Sequence, residues 1–191
     1  MTSIYLPRRR RRASGAVSYS LFAALLLGFA ALALWLLAHG YVSEFSLHRW
    51  SKVVSIADSG EFRLENIGLF YPHAPIYLLA LFHGLPGAAN AHAPHFAAVL
   101  AGAGLFMFWN QHMRRKGYTL RQRLGFIALL GTHPFVLWAV TSGLHNALTL
   151  LGFYLFCYGC YLVVSQHDVR ALVFVAFMLA AFFFTDERTL F

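Results

Sequence analysis

Charge is scarce in this sequence. Asp, Glu, Lys and Arg make up 12% of the 191 residues, against the roughly 25% usual in soluble globular chains. Set beside 59% apolar residues, that shortage excludes an ordinary water-soluble domain and points to an integral membrane protein. Cysteine is nearly absent too. Cys157 and Cys160 stand one helical turn apart in an apolar run, with no second pair and no polar shell, so they read as packing or lipid-facing residues rather than a redox or metal site. No segment repeats period-two alternation with turn signals, which excludes a membrane β-barrel. Acids are the rarest charged groups, 7 against 15 Lys and Arg. The net charge is +8, and ten of the 15 basic residues gather in two places. Arg8–Arg12 form one run, and Arg114, Arg115, Lys116, Arg121 and Arg123 crowd another. Both fit the excess of basic residues in cytoplasmic loops. Without stacking platforms the charge does not describe a nucleic-acid surface, so no nucleic-acid partner is expected.

What is present is a series of long apolar runs separated by short polar knots. The first, Ala16 to His39, meets the roughly 20 residues that a bilayer demands. It exceeds the ~7 to 15 residues of a signal-peptide core, and Ala38-His39-Gly40 is a poor cleavage site, so it reads as a retained anchor. With Arg8–Arg12 cytoplasmic it exits outside. An odd number of crossings must then precede the basic knot at Arg114–Arg123. Pro94 to Trp109 suits a span, whereas Ala74 to Gly87 is short and ends in Gly84, Pro86 and Gly87, so it is expected at the outer interface or partly re-entrant. The expected fold is an all-α membrane domain over residues 16–191, preceded by a basic cytoplasmic tail, 1–15. Five transmembrane helices fall near 16–39, 94–110, 124–140, 144–165 and 171–184, with an outer loop at 41–93. The expected location is a bacterial inner membrane with the N-terminus cytoplasmic.

The outer loop holds four of the seven acids, Glu44, Asp58, Glu61 and Glu65. Within Glu44 to Ser59, Trp50, Val53, Val54 and Ala57 recur at helical spacing while His48, Ser51, Lys52, Ser55 and Ser59 take the other side. This predicts an amphipathic helix on the outer membrane face. Its polar side reads either as a solvated interfacial surface or as one wall of an outer cavity.

Trp50, Ile56-Ala57, Gly60-Glu61-Phe62 and Leu69-Phe70-Tyr71-Pro72 resemble the first outer loop of the lipid-phosphate-sugar-dependent glycosyltransferases of the GT-C superfamily. They are most similar to the branch typified by the enzyme that adds the second mannose of glycosylphosphatidylinositol anchors. Thr132 to Leu151, "THPFVLWAVTSGLHNALTLL", resembles that family's Pro-bearing hairpin, and "AAFFFTDERTLF" its next outer turn. The resemblance implies transfer of a sugar from a polyprenyl phosphate to a hydroxyl on the outer side of the membrane, with inversion. A lipid phosphate leaves as an anion, so such a site needs cations for the phosphate and a carboxylate to take the acceptor's proton.

In the family that carboxylate directly follows the outer-loop Trp; here Trp50 is followed by Ser51, whose hydroxyl is a poor base. Asp58 is the first stand-in, on the face of Ser51 but about 10.5 Å along the axis, and Glu61 is the reserve. Arg188 and Arg63 are the candidates for the donor phosphate, Arg188 having as its alternative the solvation of a terminal turn with Asp186 and Glu187. Two more positions depart from the family. The hairpin carries His145-Asn146 where an acid is usual, and Asp186 stands where a basic residue is common. A family member carries more spans than this chain, which suggests an N-terminal half, a truncated product or a reduced paralogue. A non-catalytic subunit of a larger membrane complex is therefore the alternative function. Expected partners are membrane lipids, a polyprenyl-phosphate sugar donor and other membrane subunits.

Ten histidines raise haem or metal as rivals. Most fall near span ends, leaving His133 alone within a span, which does not supply facing axial ligands. His92 and His95 have ligand spacing, but "ANAHAPH" reads first as a Pro-broken connector. No cofactor and no metal is expected.

Overall fold

The computed structural model describes residues 8–60, 73–83, 92–167 and 169–185, and every element among them is helical. In chain order these are α1 (Arg8–Ala38), α2 (Glu44–Ser59), α3 (His73–His83), α4 (Ala93–Arg115), α5 (Leu120–Gly131), α6 (Pro134–Thr141), α7 (Leu144–Gln166) and α8 (Arg170–Thr185).

Local chemistry sets the boundaries. Ser43 caps α2, its side chain accepting from the Ser46 N–H, and Gly60 closes the helix in the left-handed conformation at φ 66°; glycine adopts that conformation without a Cβ clash. Thr119 and Gln122 form a capping box at the start of α5, satisfying two otherwise unpaired N–H groups. Pro94 and Pro134 occupy the first turns of α4 and α6, where a missing N–H costs nothing.

α4 is the central helix. It packs against α1, α6 and α7, and Phe29, Phe106, Trp109, Ile127 and Val140 meet in one core around it. The ring pairs Phe108–Tyr154 and His112–Tyr158, followed by the Lys116–Tyr161 contact, step the same way along both helices. α4 and α7 therefore run parallel, with α5 and α6 returning between them and α8 packed against α7. α2 packs on α3 and on the first turns of α4 and α7, burying Trp50, Val53 and Ile56 with Ile76, Leu79, Ala93 and Leu144. That cap lies at the opposite end of α4 from Arg114–Lys116. α1 leads into α2, so its N-terminal end, with Arg8–Arg12, lies toward the other end. Both basic clusters thus share one end of the bundle.

α1 and α7 each contain a stretch long and apolar enough to cross a membrane, Ser18–Ala38 and Leu144–Gln166, of which only 11% is buried inside the protein. These outward apolar faces need a lipid solvent. The chain is accordingly a helical membrane protein with, among the described residues, two such helices, or three if α5 and α6 together count as one crossing.

Several expectations need correction. The span expected at 124–140 is broken: α5 and α6 meet at 74°. His133, before Pro134, has extended backbone at ψ 125°, as proline imposes on the residue preceding it. His133 is therefore exposed at a break in this apolar stretch. The last helix has 16 residues, about 24 Å, and is shorter than an unaided span. The apolar face of α2 is turned slightly from its expected position. Ile56 is buried and Ala57 exposed, because the face follows Ser46, Arg49, Trp50, Val53 and Ile56 at intervals of three and four. That face rests on α3, α4 and α7, so protein and not lipid receives it. α3, the short helix expected at the outer interface, has 11 residues, about 16 Å. It buries Ile76 and Leu79 and is too short to cross.

Candidate functional site at the capped end

The capped end is held by polar contacts as well as packing. The Ser46 hydroxyl on α2 donates to the Ser142 carbonyl between α6 and α7 at 2.6 Å. Gly143 next to it has φ 143°, and a Cβ there would run into the Ser46 side chain. Only glycine lets the hairpin come this close. Asn146 donates to the Ser142 hydroxyl at 2.6 Å, and Thr141 back-bonds to the Leu137 carbonyl at 2.7 Å. His95, 2% exposed, places Nδ1 2.7 Å from the Thr141 carbonyl, so the Nδ1–H tautomer donates there. These bonds tie α2, α4, α6 and α7 into one unit.

On that unit α2 turns Ser51 and Asp58 to its exposed side. Ser51 donates to its own helix, to the His48 carbonyl at 2.9 Å. Asp58 lies in the last turn, next to the negative end of the helix dipole, where an acid does nothing for helix stability. Arg49, one residue before Trp50, is buried at 5% exposure, bringing a cation into the base of this end. Trp50 stands against His83, ring centroids 5.6 Å apart. Glu61, Arg63 and Arg188 lie outside the described residues, so Asp58 is the one predicted site residue whose position can be given. Among the described residues no group of three His, Cys, Asp or Glu is placed to hold a metal ion. Cys157 and Cys160 are both free thiols.

Sequence reasoning missed two features. His95 reads as part of a connector, yet it is a buried strut whose partner is 46 residues away; no local signal marks it. The second lies at the basic end. Lys116 donates to the Tyr161 hydroxyl at 3.2 Å and sits 5.0 Å from the centre of that ring. Arg123 donates to the buried Asn110 at 2.6 Å. The cluster of cations was visible in sequence, but their aromatic and amide partners on other helices were not.

Comparisons with protein-family models, with curated proteins and with solved structures give no match for this chain.

Proposed function

We propose that this protein is a GT-C-like membrane protein related to the polyprenyl-phosphate-sugar-dependent glycosyltransferases. In this reading it lies in a bacterial inner membrane with the basic end cytoplasmic and α2 outside. Five crossings would be made by α1, α4, the α5–α6 pair, α7 and α8. The observation that carries the reading is the seating of α2: an amphipathic helix at the end opposite both basic clusters buries Trp50 and turns Asp58 outward. A carboxylate there is available to accept the proton of an acceptor hydroxyl while a lipid phosphate leaves, with Glu61 as the second base and Arg188 and Arg63 toward the phosphate.

A second reading, a non-catalytic subunit or scaffold of a larger membrane complex, is favoured by Ser51. It occupies the place of the family's acid and is engaged with its own helix.

Transfer of labelled sugar from a polyprenyl phosphate by the reconstituted protein separates the two. In an enzyme, Asp58→Asn lowers transfer by about 100-fold to 10,000-fold, the usual contribution of a general base, and Ser51→Asp raises it. Unchanged transfer in Asp58→Asn removes Asp58 as the base. No transfer by the native chain, together with stable co-purification in a larger complex, establishes the scaffold.

A further inference from the structure

The basic end carries a groove that the outer site does not use. A cavity of about 560 Å³ runs between α5 and α7 over α4, with Trp109, Phe126, Leu150, Phe153 and Cys157 on its walls. It continues toward the capped end into a second space of about 370 Å³, sharing Leu150 and Phe153. Toward the basic end it shares His112, Met113, Phe126 and Tyr161 with a third, of about 590 Å³, whose rim adds Lys116, Tyr118 and Gln122. The walls are apolar along the length of the helices and become polar only at this end.

The rim is cationic: Lys116 follows Arg114 and Arg115 and precedes Arg121 and Arg123. Lys116 already donates to the Tyr161 oxygen, which leaves the phenol O–H to donate elsewhere. An ammonium and a phenol side by side at the mouth of an apolar slot match a phosphate attached to hydrocarbon chains.

We infer that this groove binds an anionic phospholipid of the leaflet at the basic end, its chains along Phe126, Leu150 and Phe153 and its phosphate on Lys116 and Tyr161. Basic residues where helices leave the membrane are suited to such headgroups. The inference rests on the membrane reading and is independent of any chemistry at Asp58.

Native mass spectrometry of the full chain in detergent, titrated with phosphatidylglycerol or phosphatidylcholine, tests it. One phosphatidylglycerol is expected to be retained in preference to phosphatidylcholine, and glycerol phosphate alone does not compete. Lys116→Ala lowers the affinity for phosphatidylglycerol about fivefold, the effect of one basic residue near an anionic lipid, and leaves phosphatidylcholine unchanged. Arg115→Ala, an exposed neighbour that does not line the groove, changes it less. Cys157→Trp fills the slot and reduces retention of both lipids. Lys116 and Cys157 are exposed, so neither change removes a core contact. Equal affinity for the two lipids, equal effects of Lys116→Ala and Arg115→Ala, competition by glycerol phosphate, or undiminished binding in Cys157→Trp would each overturn the inference.

Discussion

α4 and α7 have the same length, 23 residues, run parallel and touch, yet they are opposites in composition and burial. α4 buries twelve of its residues, including His95, Gly102 and Asn110. α7 buries four. Only α7 is apolar enough to register as a span by itself. Hydropathy here reports contact with lipid and not depth inside the protein. A helix facing hydrocarbon must be apolar, because lipid offers its side chains no hydrogen bonds. A helix surrounded by other helices finds partners for polar groups and gains from small residues that let its neighbours approach. α4 uses both liberties: Asn110 accepts from Arg123, and Gly102 lies directly under Val140.

The sharpest way to break this contrast is to place a charge on an outward face. Leu27, 69% exposed in the middle of α1, would tolerate lysine if it faced water. Facing lipid, Leu27→Lys is expected to cost about 2.5 to 3.5 kcal/mol in an insertion assay. Full insertion of that variant would refute lipid contact by α1.

A smaller effect comes from steric contrast within α4. A Cβ at Gly102 would lie 2.5 Å from a Val140 methyl, whereas one at Gly104 meets nothing within 4 Å. Gly102→Leu is expected to destabilise the detergent-solubilised protein by about 1 to 3 kcal/mol through overpacking, and Gly104→Leu to leave its melting temperature nearly unchanged. Equal effects would show that α4 is not pressed against α6.

Asn110→Leu probes the polar partner. Loss of a hydrogen bond to a charged group costs about 1.5 to 3 kcal/mol; the half-buried position of Arg123, open to some water, puts the expected loss at the lower end. In Arg123→Gln the same change costs less, and a double-mutant cycle measures the difference.

Orientation sharpens the contrast between the ends without an energy. In a protein lacking Cys157 and Cys160, Ser59→Cys is expected to react with an impermeant thiol reagent in intact cells and Tyr118→Cys is not. The reverse pattern would turn the molecule over.

Much of this was readable beforehand because it depends on neighbours in the chain. Ser43, the polar and apolar spacing along α2 and Gly60 are local, and helix Glu44–Ser59 formed with the expected bounds. The runs of α1 and α7 are long enough that lipid is their only plausible solvent. The break before α6 had a local signal in His133-Pro134, but an apolar average over residues 124–140 conceals it. Which side of α2 would be covered, by what, and how far it would turn depended on α3, α4 and α7.

The amino-acid sequence by itself determined that the chain is helical and lipid-facing, where basic charge gathers, and that one amphipathic helix precedes the central bundle. These follow from composition, hydrophobic period and capping, which act within a few residues. Only the tertiary structure decided that α4 is the interior helix, that His95 reaches Thr141, that Ser46 closes on the hairpin at Gly143, and that Lys116 meets Tyr161 at the mouth of a groove. Each of those requires two distant segments to occupy one place, and that placement is set by the packing of the whole bundle.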